Sequence, residues 1–366
     1  MLRHQLTMTS LGVTLCVLAL TPGNARAGEE PYMSVRTGMR CSQCHVNRTG
    51  GGGRNAFGTM YAQTRLSMGK STFQNRMLND FVAVGGNFRL LASGFVSEAE
   101  PQTAVSIGEL NVQVEARVVP DVLAFYVDQT LGPGGASTRE GFMLLERLPL
   151  DGYLKVGKFL LPYGLRLVDD AEYIRQRTGF SYTTPDIGVE LGVEPGPLSL
   201  FIAVSNGTQG AEESNDGKQI TGTAALILPR FRLGASASRN DGPSSRLDVV
   251  GGFGGFNLGR LTVLGEVDLM FDDSPDIADL AVPWDKFAAY VEGDFLLVPG
   301  LNTKVTYGFF DPDGDIGENA EIRMRFGIEA FPMQFLQVSG FYTLHQDIPQ
   351  ATSDMDRLSV EFHLYF

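Results

Sequence analysis

The last eleven residues, Asp356-Arg-Leu-Ser-Val-Glu-Phe-His-Leu-Tyr-Phe366, alternate between two kinds of side chain. Successive side chains of a β-strand point to opposite faces, so this alternation predicts a strand with one apolar face and one polar face. The apolar face carries Leu358, Val360, Phe362, Leu364 and Phe366, and the polar face carries Ser359, Glu361, His363 and Tyr365.

The same pattern recurs in runs of about ten residues from Phe81 onward, separated by clusters of turn-forming residues. A break in the alternation at Gly108 predicts a β-bulge. The pattern predicts sixteen strands at about residues 81–97, 103–119, 121–131, 138–148, 151–160, 186–193, 197–206, 219–228, 231–240, 246–258, 260–271, 285–298, 301–310, 321–331, 334–345 and 356–366.

The connections between these strands alternate in length. Those after even-numbered strands are tight, as at Val119-Pro120-Asp121, whereas those after odd-numbered strands are mostly longer and polar, as at 206–218 and 311–320. A soluble β-sandwich also alternates apolar and polar residues, but it gives loop lengths no reason to alternate. We therefore predict that residues 81–366 form an all-β, 16-stranded antiparallel transmembrane β-barrel of the bacterial outer-membrane type.

The two faces of each predicted strand then have different surroundings. The apolar face contacts outer-membrane lipid and the charged face lines the lumen, because a charge at mid-bilayer on the lipid side of a barrel costs roughly 2–4 kcal/mol. An even number of strands places both termini on the short-turn, periplasmic side.

The N-terminus predicts export. Arg3 and His4 precede an apolar run, and Ala25-Arg26-Ala27 has the small residues of a signal-peptide cleavage site, so residues 1–27 are predicted to be removed. Cys16 lies within the predicted signal peptide and is lost with it. The net charge of the full chain is −13, and loss of Arg3 and Arg26 makes the mature chain more acidic still. Such a balance argues against nucleic acid as a partner.

Two cysteines remain, in the stretch Arg40-Cys41-Ser42-Gln43-Cys44-His45. In an exported protein they are candidates for a disulfide. The spacing Cys-x-x-Cys-His instead favours one covalent haem c, because two thioethers hold the porphyrin while the adjacent imidazole reaches the iron. We predict a monohaem cytochrome c segment over residues 28–80, which is too short to bury a haem by itself.

Resemblances to known families support this division. The stretch Val156-Gly-Lys-Phe-Leu-Leu-Pro-Tyr-Gly164 resembles the motif that precedes the inward loop of the phosphate-selective, 16-stranded O/P-type porins. The order of signal peptide, haem motif, Asn55-Ala56-Phe57-Gly58 and porin resembles the fused monohaem cytochrome-porins of iron-oxidising bacteria. That resemblance implies a haem segment inside the barrel that passes electrons inward from extracellular Fe(II). Interleaved acidic residues in the predicted strands argue against carrying over phosphate selectivity.

Two further segments have alternative interpretations. Residues 161–185 contain a predicted short helix over 169–177, and Arg166, Arg175 and Arg177 belong either to a polar lumen or to the surroundings of the haem carboxylates. The run Gly50-Gly51-Gly52-Gly53 is either a flexible linker or a backbone that must pass close to a porphyrin or thread the barrel mouth.

The predicted function is an outer-membrane electron conduit between an extracellular donor, most simply Fe(II) or another reductant, and a periplasmic cytochrome c. Fe(II) oxidation is its one candidate enzymatic activity. The alternative is a solute-selective porin with a haem-bearing redox-sensing or structural plug, and a third interpretation reverses the electron flow.

The ligands of the metal ions are the last sequence-based prediction. His45 supplies one axial ligand of the haem iron. Met60 is the first candidate for the other, followed by His363 and then by an open or water-bound site. His345, predicted to face inward beside Asp347 on the long-loop rim, is either a transient external site for a divalent first-row metal or an uninvolved loop histidine.

Overall fold

The computed structural model describes residues 30–69, 79, 81–96, 102–132, 134–213, 215–242, 245–273, 284–348 and 355–366. Sixteen antiparallel strands within these residues close into one barrel, in which each strand pairs with its neighbours in the chain and β1 pairs with β16. The predicted 16-stranded antiparallel barrel is confirmed, with every predicted strand boundary within two residues of the observed one. The strands are β1 (Val82–Val96), β2 (Gln102–Val119), β3 (Leu123–Gly132), β4 (Ser137–Leu148), β5 (Gly152–Phe159), β6 (Asp186–Val193), β7 (Leu198–Ser205), β8 (Gln219–Leu228), β9 (Phe231–Asp241), β10 (Arg246–Leu258), β11 (Leu261–Asp272), β12 (Trp284–Val298), β13 (Leu301–Asp311), β14 (Glu321–Met333), β15 (Leu336–Asp347) and β16 (Met355–Tyr365).

The two faces of β16 separate as the alternation predicts. Leu358 and Phe362 are exposed on the outside of the barrel, whereas Glu361 and His363 are buried inside it. A similar division holds around the barrel, because most strands expose large apolar side chains on the outside and bury charged side chains on the inside.

The barrel closes between its first and last strands. Asn87 of β1 lies opposite Tyr365 of β16, and Gly86 and Phe366 exchange two backbone hydrogen bonds of 3.2 Å. The predicted bulge is present, because Arg89 pairs with Glu109 while the next residue, Leu90, pairs with Ile107. Gly108 therefore has no partner opposite it on β1, and the alternation continues in register beyond it.

The short turns lie on one rim and the long loops on the other. Asp121, Leu150, Asp151, Arg230 and Phe335 have positive φ, as the tight reversals on the short-turn rim require. Among the described residues, no helix is long and apolar enough to cross a membrane. The predicted signal peptide, residues 1–27, lies outside the described residues.

The N-terminal segment lies in the short-turn mouth of the barrel. It contains the helices α1 (Pro31–Thr37) and α2 (Ala56–Tyr61), with a 3-10 turn at Cys41–Gln43 and a π-helical turn at Ala62–Leu66. Gly38 packs against Pro229 of one short turn. The Met68 N–H donates to the Phe331 carbonyl oxygen at 2.8 Å at another part of the same rim.

Residues 160–185 fold into the lumen, as the O/P-type resemblance implies. The predicted helix over 169–177 is longer than the observed α3 (Tyr173–Gln176). Asp169 and Glu172 do not join it because their carboxylates pair with the barrel wall: Arg323 donates to both, and Arg325 lies 2.5 Å from Asp169. Glu172 has an extended backbone at the N-cap position of the short helix.

Candidate functional site

The haem motif forms one tight turn of backbone. The N–H groups of Cys44 and His45 both donate to the Cys41 carbonyl oxygen, at 3.1 and 3.0 Å. Arg40 begins the turn, and its N–H donates to the Gln43 side chain at 2.9 Å. The two cysteines do not form a disulfide with each other in the structure. The turn brings both thiols and the imidazole to the wall of one cavity.

The stretch Asn55-Ala56-Phe57-Gly58 supports this turn from behind. The Asn55 N–H donates to the Cys44 carbonyl oxygen at 3.0 Å, and its side-chain amide donates to the Ser42 carbonyl oxygen at 3.1 Å. The Asn55 side chain also accepts from the Gly58 N–H at 2.9 Å, which caps α2. A Cβ at Gly58 would overlap the Cys44 carbonyl group, so only glycine fits against the haem motif there.

The glycine run is a close approach to the barrel wall. Gly52 has a φ of +66°, and a Cβ there would meet the Tyr126 hydroxyl. The Gly53 N–H donates to the same hydroxyl at 2.6 Å. Of the interpretations from the sequence, these contacts agree with a backbone that threads the barrel mouth. A close approach to a porphyrin stays a prediction.

Two side chains that follow His45 fix the segment to the strands. The buried Asn47 donates to Glu140 at 2.7 Å and accepts from Lys155 at 2.9 Å. Arg48 donates to Glu146 at 2.7 Å and to Glu194 at 2.8 Å. These contacts hold the haem motif against β4 and β5.

The cavity beside the motif and the open solvent at its entrance together span about 1040 Å³. Four arginines line it, together with one carboxylate: Arg40, Arg54, Arg166, Arg232 and Glu30. Lys304 pairs with Glu30 and compensates the charge of this carboxylate. The arginines therefore give the lining an excess of positive charge, although the whole chain is acidic. The wall also has an apolar part that includes Met33, Leu66, Leu165 and Phe331. The chemistry of the lining therefore suits a mostly apolar ligand with anionic groups.

The same arginines affect the imidazole. Burial and the neighbouring Arg54 guanidinium lower the pKa of His45 to about 3, with a smaller contribution from Arg166. The neutral imidazole is the form that coordinates a metal ion. Burial likewise raises the pKa of Tyr61, whose side chain lies near Cys44.

The three arginines of the inward loop have different positions. Arg166 lines the cavity and donates to the Gly50 carbonyl oxygen at 2.6 Å. Arg175 is buried and donates to Glu266 at 2.8 Å. Arg177 lies at the long-loop rim and donates to Glu321 at 2.7 Å. Of these three arginines, Arg166 is the one that contacts the described part of the N-terminal segment. Arg175 belongs to the polar lumen and Arg177 to its long-loop rim.

The predicted second axial ligands lie away from the cavity wall. The Met60 side chain is 52% exposed and does not contribute to the lining, whereas Met33 and Met39 do. His363 is buried inside the barrel as predicted, with one ring nitrogen 2.8 Å from Gln337 Oε1 and the other 2.8 Å from Asn87 Oδ1. Both of its nitrogens thus have amide partners in the barrel wall.

A second cavity lies deeper in the lumen. It shares Glu30 and Gln337 with the first cavity and reaches Asp169 of the inward loop. Its wall is polar and charged, with carboxylates and basic groups interleaved. These two cavities adjoin each other and differ in character, since one is largely apolar and basic and the other is polar.

His345 lies on the long-loop rim, at the end of β15. Its Nε2 atom is 3.6 Å from Glu321 Oε2 on β14, and Asp347 completes a group whose ligand atoms all lie within 4.8 Å of one another. The Tyr173 ring of the inward loop lies with its centroid 6.4 Å from that of the imidazole. The predicted neighbourhood of His345 and Asp347 is therefore present, with one carboxylate more than the sequence indicated.

Sequence reasoning missed three residues of these sites. Glu321 was detectable, because hairpin pairing of the two strands places it opposite Asp347. Arg54 and Arg232 had no such signal, since they come to the cavity from different elements only when the segment enters the barrel.

No protein-family model matches the chain, and no curated protein is similar to it in sequence. Solved structures are similar in fold. A loop-deletion mutant of OmpT from Vibrio cholerae superposes with a TM-score of 0.62 at 14% identity, over 78% of this chain and 99% of that one. The anion-selective porin from Comamonas acidovorans has a TM-score of 0.62 at 9% identity, over 78% and 99% of the two chains. Salmonella typhi OmpF in complex with daunomycin has a TM-score of 0.60 at 12% identity, over 78% and 97%. The fold is thus the 16-stranded barrel of the outer-membrane porins.

Proposed function

We propose that the chain is an outer-membrane electron conduit. Its N-terminal segment would hold one covalent haem c inside the barrel, so that single electrons cross between an extracellular donor, most simply Fe(II), and a periplasmic cytochrome c. The exposed apolar faces of the strands and the porin fold support a location in the bacterial outer membrane, in contact with its lipid. The short-turn rim would then face the periplasm, as the two termini do in the proposed orientation.

One observation carries this proposal: the Cys-x-x-Cys-His turn lies at a cavity within the barrel. The hydrocarbon core of a bilayer is about 30 Å thick, and electron transfer becomes steeply slower with distance. If the redox centre were in the periplasm, outside the barrel, electrons would have to cross the whole thickness of the membrane. A centre within the mouth shortens the remaining gap to the extracellular side.

The residues at the cavity suit haem c in their chemistry. Cys41 and Cys44 have the spacing for two thioethers, and His45 would be an axial ligand. Arg54, Arg166 and Arg232 would neutralise the haem carboxylates, and the apolar part of the wall would contact the porphyrin. Bound there, the group supplies a reversible one-electron change at its iron.

The rest of the chain excludes water and holds these groups in place. The N-terminal segment contacts strands from β3, through Tyr126, to β16, through the Arg54 guanidinium that lies 4.4 Å from the centre of the Tyr365 ring. The inward loop covers the other side of the cavity with Gly164, Leu165 and Arg166. The haem segment, which is too short to build a core alone, obtains its surroundings from the barrel.

A second candidate is a solute-selective porin in which the haem-bearing segment is a redox-sensing or structural plug. The porin fold and the polar second cavity favour it. Conductance of the purified protein in a planar bilayer separates the two functions. A conduit gives little ion current with its haem in place, and large open-channel currents would contradict our proposal.

Haem reduction in intact cells tests the conduit. We expect Fe(II), and also a reductant too large to enter the cell, to reduce the haem of the wild-type protein. Cells that produce the double variant Cys41→Ala/Cys44→Ala provide the control, since the barrel remains while covalent attachment is lost. Failure of Fe(II) oxidation and of haem reduction in wild-type cells would rule out the iron-dependent function. Reduction from the periplasmic side with release to an extracellular oxidant would instead support the reversed direction of flow.

A further inference from the structure

The long-loop rim carries a group of three potential metal ligands. Glu321 is the first residue of β14, and His345 and Asp347 end β15. The register places Glu321 opposite Asp347, with His345 two residues earlier on the same inward-facing side. We propose that these three side chains bind a divalent first-row transition-metal cation at the mouth of the barrel.

The ligand chemistry favours this class of cation. One imidazole nitrogen and two carboxylates form a mixed nitrogen and oxygen set, which suits Fe²⁺, Co²⁺ or Zn²⁺ better than Ca²⁺ or Mg²⁺. All three ligand atoms lie within 4.8 Å of one another, so small side-chain movements bring them around one ion.

The backbone that carries the ligands is well supported. Strands β14 and β15 pair continuously from Glu321↔Asp347 inward, so the ligands on the two strands have a fixed spacing. The inward loop lies behind them, with the Tyr173 ring next to His345 and stacked on Phe310. Arg323, in the next position along β14 on the same face, clamps that loop through Asp169 at 2.7 Å.

Arg177 competes with the cation for Glu321. Its guanidinium donates to both carboxylate oxygens of Glu321, at 2.7 and 3.0 Å. The same guanidinium lies 4.6 Å from the centre of the Phe310 ring, and its side chain is 39% exposed. A cation that binds Glu321 must displace this contact, and Arg177 retains both the aromatic ring and solvent as surroundings. We therefore infer that Arg177 lowers the affinity of the site.

Cation binding at this rim does not depend on the haem. The further statement that the site delivers Fe(II) as the electron donor rests on the proposed function. The rim lies at the opposite end of the barrel from the short-turn mouth that contains His45, so binding at the rim and reduction of the haem are measured by separate signals.

Titration of the purified, haem-loaded protein with Zn²⁺ in a calorimeter tests the binding. We expect His345→Ala and Glu321→Gln each to weaken Zn²⁺ binding by roughly tenfold or more. Arg177→Gln should strengthen it. Glu318→Gln removes an exposed carboxylate from the same rim and should leave the affinity unchanged. Equal Zn²⁺ affinities of the wild type, His345→Ala and Glu321→Gln would overturn the proposed metal site. Unchanged or weaker Zn²⁺ binding in Arg177→Gln would overturn the proposed competition between Arg177 and the cation.

Two checks make the result unambiguous. The haem spectrum of each variant, and the change in its electrophoretic mobility on heating, show whether its barrel is folded.

Haem reduction at limiting Fe(II) then tests the donor role, with dithionite as a reductant that needs no binding site. Loss of Fe(II)-dependent reduction in His345→Ala, with normal reduction by dithionite, supports the donor role. Normal Fe(II)-dependent reduction in a variant that no longer binds Zn²⁺ overturns that role alone. No reduction by Fe(II) in the wild type contradicts the proposed function without affecting the binding result.

Discussion

The Arg166 guanidinium donates a 2.6 Å hydrogen bond to the carbonyl oxygen of Gly50. The same side chain donates to the Leu161 carbonyl oxygen at 2.9 Å, so it ties the base of the inward loop to the segment that carries the haem motif. Both pieces of chain enter the lumen within the described residues. Their direct contact means that the N-terminal segment and the inward loop form one packed unit.

Loss of the contact that Arg166 makes between the two pieces of chain should open the lumen to ions. We expect Arg166→Ala to increase the single-channel conductance in a planar bilayer, because both backbone contacts and the side chain that fills the gap are lost. Arg239→Ala is the matched control, since Arg239 pairs with Asp248 in an exposed position on β9. Equal conductance of Arg166→Ala and the wild type would show that other contacts close the lumen.

The support behind the haem motif should be sensitive to a single methyl group. In Gly58→Ala the added Cβ would overlap the Cys44 carbonyl group, and such overpacking typically costs roughly 1–3 kcal/mol. We expect a lower ratio of haem to protein, measured by absorbance, because α2 no longer fits against the turn that presents the cysteines. Gly317→Ala adds the same methyl group in open space and should keep the wild-type ratio. A normal haem content in Gly58→Ala would contradict this packing.

The barrel was predictable because its signal is repeated and local. Each strand carries its own alternation, and the bulge at Gly108 is visible as a slip of that alternation between Ile107 and Leu110. The alternating loop lengths then indicate closure. The helix over 169–177 was predicted too long, because its acidic start is held by Arg323 and Arg325 from a distant strand.

The site was predictable only where its chemistry is contiguous in sequence. Cys41, Cys44 and His45 lie within one short stretch of sequence, so their spacing alone predicts a haem-attachment motif. The cavity arginines come from the segment, the inward loop and β9, and no periodicity connects them. Met60 was favoured by its distance from His45 along the chain, whereas the side chains that line the cavity depend on how α1 and α2 pack.

The cavity arginines should influence the redox equilibrium. A positive charge close to the iron favours the reduced state, which carries one positive charge fewer, so we expect Arg54→Gln to lower the reduction potential. The shift should be on the order of tens of millivolts, where about 59 mV is a tenfold change in a one-electron equilibrium. Spectroelectrochemical titration measures it, and Arg239→Gln controls for total charge. An unchanged potential would place Arg54 away from the haem.

The buried pair between Arg175 and Glu266 should matter for stability. In the wild type, the Arg175 guanidinium lies 2.8 Å from the Glu266 carboxylate. Arg175→Met removes this guanidinium, and breaking a buried ion pair in this way costs about 3–5 kcal/mol. Urea unfolding of the protein in lipid vesicles measures this loss. The double variant Arg175→Met/Glu266→Gln should recover part of it, because Glu266 then leaves no uncompensated buried charge of its own. A double variant less stable than Arg175→Met would contradict this account.

The second iron ligand should come from the cavity wall. Methionine ligation gives a weak band near the red end of the oxidised visible spectrum, and bis-histidine ligation does not. Met33 and Met39 line the cavity, whereas the Met60 side chain is 52% exposed and both nitrogens of His363 have amide partners. Leucine preserves the volume of methionine without its sulfur, so Met→Leu variants change ligation with little change in packing.

We therefore expect the band to be lost from either Met33→Leu or Met39→Leu and to persist in Met60→Leu and His363→Ala. The His363→Ala variant should instead lose stability, by roughly 1–3 kcal/mol, because Gln337 and Asn87 are left with unsatisfied buried amides. Loss of the band in Met60→Leu alone would make Met60 the ligand and would require α2 to turn toward the cavity when haem binds. Absence of the band from the wild-type protein would exclude all three methionines, and a bis-histidine spectrum that disappears in His363→Ala would identify His363 as the ligand.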